Sequence, residues 1–188
     1  MQQNKIFYNN TNDIRLSAQV QSDSVVDGPG LRTVIWTQGC IHNCEQCHNP
    51  ETHDCNGGQL VPVGFVTYEV LKRKQNITFS GGDPFLQPKQ CASIASCAKH
   101  NGLNVWAYSG FTYEQLVSFN NPDIDKFLDN IDVLVDGKFD IKQKSLECQY
   151  RGSTNQRLID VKKTKELGKV VLWENPFDSI KIMHNPFI

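Results

Sequence analysis

The chain has 188 residues, of which 39% are hydrophobic and 21% charged, with a formal net charge of -1. That length suits one compact domain with a sizeable core, and the near-neutral balance excludes both the basic field of a nucleic-acid binder and the charge excess of a disordered chain. The first residues lack the apolar centre of a signal peptide, and no run approaches the roughly 20 apolar residues of a membrane helix. The expectation is therefore a cytoplasmic protein with no nucleic-acid and no membrane partner.

In chain order, residues 1–25 are read as a polar extension that packs late or loosely, residues 26–175 as the domain, and residues 176–188 as a tail. Short apolar, β-branched runs predict strands at 33–37, 77–80, 104–108, 133–136, 157–161 and 170–173. Helices are predicted between them at 66–74, 88–100, 112–119 and 162–167. The second opens on Pro88 and closes on Asn101-Gly102, ordinary start and stop signals. Alternation of this kind argues for βα units around a parallel sheet. About six units are too few for a closed eight-stranded barrel of ~250 residues. The fold class is α/β, as an incomplete, laterally open (β/α)6-type parallel barrel; periodicity alone also permits a doubly wound sheet.

The first predicted strand runs into Cys40-Ile41-His42-Asn43-Cys44-Glu45-Gln46-Cys47. Three of the chain's seven cysteines in eight residues, without a secretory signal, read as metal ligation rather than disulfides. Cys40, Cys44 and Cys47 can hold three irons of a cubane cluster, which ordinarily takes four cysteines, so one iron stays open to a small molecule. A Cys₃His zinc site with His42, His48 or His53 is the alternative on the cysteines alone, and Cys55 as a fourth iron ligand is another. Cys91, Cys97 and Cys148 read as small hydrophobes.

The second strand ends in Ser80-Gly81-Gly82-Asp83-Pro84, where glycines admit close approach to the backbone. The third ends in Ser109-Gly110 and the fourth in Asp136-Gly137-Lys138. Each of these turns therefore falls at a strand's C-terminal end, the face on which parallel α/β barrels build their sites. Trp36, Trp106 and Trp173, in or beside strands, are read as core.

The cysteine motif followed by Gly81-Gly82-Asp83-Pro84 resembles the radical S-adenosylmethionine superfamily. Val26-Asp27-Gly28-Pro29-Gly30-Leu31-Arg32, Cys47-His48-Asn49-Pro50 and Val135-Asp136-Gly137-Lys138-Phe139 narrow the likeness to the glycyl-radical-enzyme activases. The run from Tyr150 to Arg157 is similar to a stretch in those acting on anaerobic ribonucleoside-triphosphate reductases. One departure is Gln46, where many superfamily members carry an aromatic residue.

The resemblance implies one 4Fe-4S cluster per chain on Cys40, Cys44 and Cys47, and S-adenosylmethionine as cofactor. It implies that Gly81, Gly82 and Asp83 line the methionine end, that Gln46, Cys47 and His48 adjoin the nucleoside, and that Asp136 either touches that site or caps a turn. The implied activity is that of a radical S-adenosylmethionine oxidoreductase. An electron breaks the sulfonium bond, and the resulting 5'-deoxyadenosyl radical takes a hydrogen from a glycine Cα of the partner. That partner is the large catalytic subunit of anaerobic (class III) ribonucleotide reductase, and the electron comes from a low-potential donor such as flavodoxin or ferredoxin. Three other readings stand beside it: an activase of pyruvate formate-lyase type, a small radical enzyme acting on a purine-like metabolite, and a non-catalytic zinc or iron-sulfur module. Arg151 and Arg157 are read either as partner contacts or as ordinary surface arginines.

Overall fold

A computed structural model describes residues 12–175, so the predicted tail at 176–188 lies outside the described residues. The centre is a run of four parallel strands, β3 (Arg32–Thr37), β5 (Asn76–Gly81), β6 (Val105–Tyr108) and β7 (Val133–Asp136), adjacent in that order. All four strands are buried along most of their length, polar residues included, because both sheet faces are covered, and in β7 all four residues are buried. The remaining strands are antiparallel. β1 (Asp13–Leu16) and β4 (Gln59–Pro62) extend one edge, β2 (Gln21–Ser24) pairs with β3, and β8 (Arg157–Asp160) forms the other edge beside β7.

Three sequence expectations change here. The stretch read as a loose extension supplies β1 and β2, and Ile14 and Leu16 of β1 are core residues. The 157–161 strand exists but is antiparallel to β7, so the sheet does not carry six parallel βα units. The physical reason is the connection: residues 137–156 hold only one short 3-10 turn, Ile141–Gln143, with no crossover helix to return the chain to the other end of the sheet. The 170–173 run is no strand and makes a single bridge, Leu172 to Ile159.

Helices α1 (Val63–Arg73), α2 (Pro88–His100), α3 (Tyr113–Ser118), α4 (Pro122–Asp129) and α5 (Val161–Leu167) complete the fold. In α2 the buried stripe Cys91, Ile94, Ala95 and Ala98 follows helical spacing, and Gly102 at φ 76° turns the chain off its end. Prediction omitted α4, although Asn121-Pro122 is a start signal and the Asn121 side chain accepts from the Asp123 N–H. The larger core cluster, built on residues such as Ile35, Phe79, Phe85 and Phe127, joins strands to helices. A smaller cluster contains Trp106, Val133, Val135 and Leu158, with Tyr150 and Trp173 packed against it. Fully buried Arg32 lies 5.2 Å from the Trp106 ring centroid.

Candidate functional site

The C-terminal ends of β3, β5, β6 and β7 border a cavity of about 670 Å³. Cys40, Cys44 and Cys47 line it, together with Gly81 and Gly82, Ser109 and Gly110, and Gly137 and Phe139. The register aligns these turns: Thr37 of β3 pairs with Gly81 of β5, and Ala107 of β6 pairs with Leu134 of β7.

The glycines after β5 answer to the chain's own backbone. Gly82 N–H donates to the Thr37 carbonyl and Asp83 N–H to the Gly39 carbonyl, each at 2.8 Å. Gly81 has φ 98°, and a Cβ on Gly82 would overlap the Gly39 carbonyl oxygen. The turn is thus stitched to the residues immediately before Cys40. Beyond it, Asn43 and Gln46 take left-handed φ values of 49° and 53°, coiling the loop tightly enough for Cys47 N–H to reach the Cys44 carbonyl.

All three cysteines are free and half-buried. Burial pushes the Cys40 thiol up to about 11, and burial followed by the neighbouring Cys47 raises Cys44. A metal must therefore displace protons to bind there. Among the described residues no three His, Cys, Asp or Glu side chains stand close enough to hold one ion, and His42 is engaged with Asp83 at 2.6 Å. Three thiols of one loop on one cavity wall fit a cubane, in which each sulfur takes its own iron, better than a single four-coordinate zinc.

The other residues singled out from sequence fall in different places. His48 lines the cavity and packs on Phe139, with ring centroids 4.8 Å apart. Gln46 is exposed and does not line the cavity. The Asp83 side chain is 1% exposed, and its carboxylate accepts from Phe85 N–H, Gly110 N–H, the Ser109 hydroxyl and His42 Nε2. Asp136 is equally hidden, accepting from Tyr113 N–H and from Arg157 Nε and Nη2. Both carboxylates act from behind the wall rather than on it.

Arg157 also reaches Glu114 through Nη1 and Nη2, so one guanidinium joins β8, the end of β7 and α3. Those two carboxylates raise the Arg157 pKa, while Arg157 draws Glu114 down to about 2. Arg157→Ala should lower stability by about 2–3 kcal/mol in urea titration, because Asp136 stays buried with one donor, and partial exposure of the arginine moderates the loss. Glu114 has its folded-state pKa depressed below its ordinary 4.5. Its contribution is complete above about pH 4.5 and lost as pH falls toward 2. Glu114→Gln should flatten that acid limb in pH-dependent melting.

Sequence reasoning missed a further wall of the cavity. Cys148, Tyr150, Arg151 and Gly152 line it, held by the Tyr108 hydroxyl donating to the Tyr150 carbonyl at 2.7 Å and by Trp106 edge-on to Tyr150. Trp36, expected in the core, lines the cavity instead and donates through Nε1 to Gln21. The tyrosine, arginine and glycine belonged to a run already noticed, but no local pattern says that the loop reaches the cavity.

A family profile described as "4Fe-4S single cluster domain" matches residues 26–159. The chain is 32% identical over 142 residues to the anaerobic ribonucleoside-triphosphate reductase-activating protein of Enterobacteria phage T4, covering 71% of this chain and 86% of that one. The protein of the same name from Escherichia coli K12 is 34% identical over 145 residues, covering 70% and 90%. The pyruvate formate-lyase-activating enzyme of Clostridium pasteurianum is 33% identical over 109 residues, covering 52% and 46%.

Proposed function

Because this chain belongs to the 4Fe-4S single-cluster family and, within it, to the anaerobic ribonucleoside-triphosphate reductase-activating proteins, we propose that it generates the glycyl radical of an anaerobic ribonucleotide reductase. It is an activating enzyme of the radical S-adenosylmethionine type, an oxidoreductase. The observation that carries the finer reading is the meeting of Cys40, Cys44 and Cys47 with Gly81 and Gly82 in one cavity at the ends of adjacent parallel strands. On this reading the four parallel strands with antiparallel edges support an incomplete, laterally open barrel, whose domain takes in β1 and β2 together with residues 26–175.

In this site Cys40, Cys44 and Cys47 would hold one cluster, which when bound would supply the electron for reductive cleavage of S-adenosylmethionine to methionine and a 5'-deoxyadenosyl radical. The backbone of Gly81 and Gly82 lines the methionine end, with Asp83 and Asp136 fixing the turns behind it. His48 and the backbone near Gln46 border the nucleoside. Phe139, Tyr150 and Gly152 wall the cavity against water while a peptide loop of the large reductase subunit presents its glycine. A low-potential donor, flavodoxin or ferredoxin, supplies the electron, and the setting is the cytoplasm. No helix of the described residues is long and apolar enough to cross a membrane.

Anaerobic purification should yield about four irons per chain. Mixing the reduced protein with S-adenosylmethionine and the reductase should then give an organic radical signal on the reductase in electron paramagnetic resonance. One zinc and no iron would sink the reading. A radical on pyruvate formate-lyase and none on the reductase would move the partner assignment.

A further inference from the structure

The cluster loop buries one polar side chain, His42, and exposes its apolar residue, Ile41. Ile41 is 46% exposed, whereas the His42 side chain beside it is 5% exposed. Hydrophobic burial would favour the reverse arrangement. What holds the histidine inside is its partner: Nε2 lies 2.6 Å from Asp83 Oδ2, and that carboxylate is itself 1% exposed.

The pocket around the ring is closely shaped. Phe111 meets it edge-on at 4.4 Å between centroids, at an interplanar angle of 74°. On another side lies Gly110, where any Cβ would overlap the imidazole. Gly110 N–H and the Ser109 hydroxyl donate to the same Asp83 oxygen that meets His42, each at 3.0 Å. His42 is therefore the point at which the cysteine loop is bolted to the ends of both β5 and β6. It sits two residues from Cys40 and two from Cys44, between the first two thiols.

We infer that His42 is a positioning residue: through Asp83 it locks the Cys40–Cys44 half of the loop so that the cluster is retained and shielded. The inference rests on the proposed cluster site. The two backbone bonds from Gly82 and Asp83 fix the chain only as far as Gly39. Beyond Gly39, the His42–Asp83 contact ties the loop to the glycine turn on the Cys44 side of Cys40. Groups one shell behind a metal ligand alter metal affinity or activity by roughly 10–100-fold when removed.

The test compares the native chain with His42→Leu, of similar bulk but no donor, and His42→Gln, whose amide can still donate to Asp83. Each is reconstituted anaerobically, its iron is counted, and iron loss to a chelator is timed beside the resonance spectrum of the reduced cluster. Melting of the iron-free proteins reports folding separately. Leu should lose iron roughly 10-fold faster or more, with a broadened or shifted spectrum, and Gln should recover most of the native rate. Equal rates and spectra for all three would overturn the inference while leaving the cluster reading intact. So would a Gln variant as labile as Leu when the iron-free form of each melts like native. A native chain that takes up no iron would overturn both.

Discussion

Cys44→Ala is expected to fold and yet to cleave no S-adenosylmethionine above background. Iron should fall well below the native content, and the loss of activity should exceed the ~100-fold typical of groups one shell further out. Cys44 is half-buried on the cavity wall rather than in the core, so removing its sulfur leaves no large internal void. The melting temperature of the iron-free protein should barely change. Cys97→Ala is the matched control. It is also half-buried, but it lies on α2 and does not line the cavity. Iron content, S-adenosylmethionine cleavage and radical yield should stay near native in that variant. Equal losses from both substitutions would mean that the cysteines act through stability rather than ligation.

The expected division rests on local spacing, and the structure puts Cys40, Cys44 and Cys47 in the cavity wall and Cys97 on α2. Three cysteines in eight residues and two glycines after an apolar run are patterns a few residues long, and β3, β5 and β7 are legible for the same reason. Their β-branched and aromatic residues mark them as strands. The antiparallel edges were harder to see. β1 and β2 read Asp-Ile-Arg-Leu and Gln-Ser-Asp-Ser, four residues each, too short and polar to stand out against loops. Their strand character comes from pairing with β4 and β3. The direction of β8 was likewise hidden, since it follows from the missing crossover helix rather than from its own sequence.

Within the site, illegibility has one source, which is distance along the chain. The Gly82 requirement was read as room for a ligand, but the group that approaches is the carbonyl of Gly39. Asp83 was read as facing the cavity, yet its partners His42 and Ser109 lie 41 and 26 residues away and turn it inward. The same separation hid Tyr150, which depends on Tyr108 for its place. A motif names the residues a site needs, while long-range hydrogen bonds decide which of their faces meets the cavity.

Asp83 provides the second large effect, one of architecture rather than ligation. Asp83→Ala should strip an acceptor from four donors at once: Phe85 N–H, Gly110 N–H, the Ser109 hydroxyl and His42 Nε2. Water reaches a buried pocket of this kind poorly, so most of those groups stay unsatisfied. The expected cost is about 3–5 kcal/mol, the range for breaking a buried polar pair from one side. In a domain of this size that is a drop in Tm of roughly 6–20 °C. Asp83→Asn separates charge from shape. Its amide oxygen can still accept from Phe85 N–H and the Ser109 hydroxyl, but its NH₂ would face Gly110 N–H, donor against donor, and would meet His42 only through the tautomer whose Nε2 accepts. About half the stability loss should remain, with the β5 turn in place and the tie between His42 and the turn weakened by loss of the carboxylate charge. The discriminating measurement is iron retention in Asp83→Asn at a temperature where the iron-free variant is fully folded. Native retention there would show that Asp83 stabilises the fold without organising the cysteines, whereas rapid loss ties the second strand's turn directly to the geometry of the first strand's thiols.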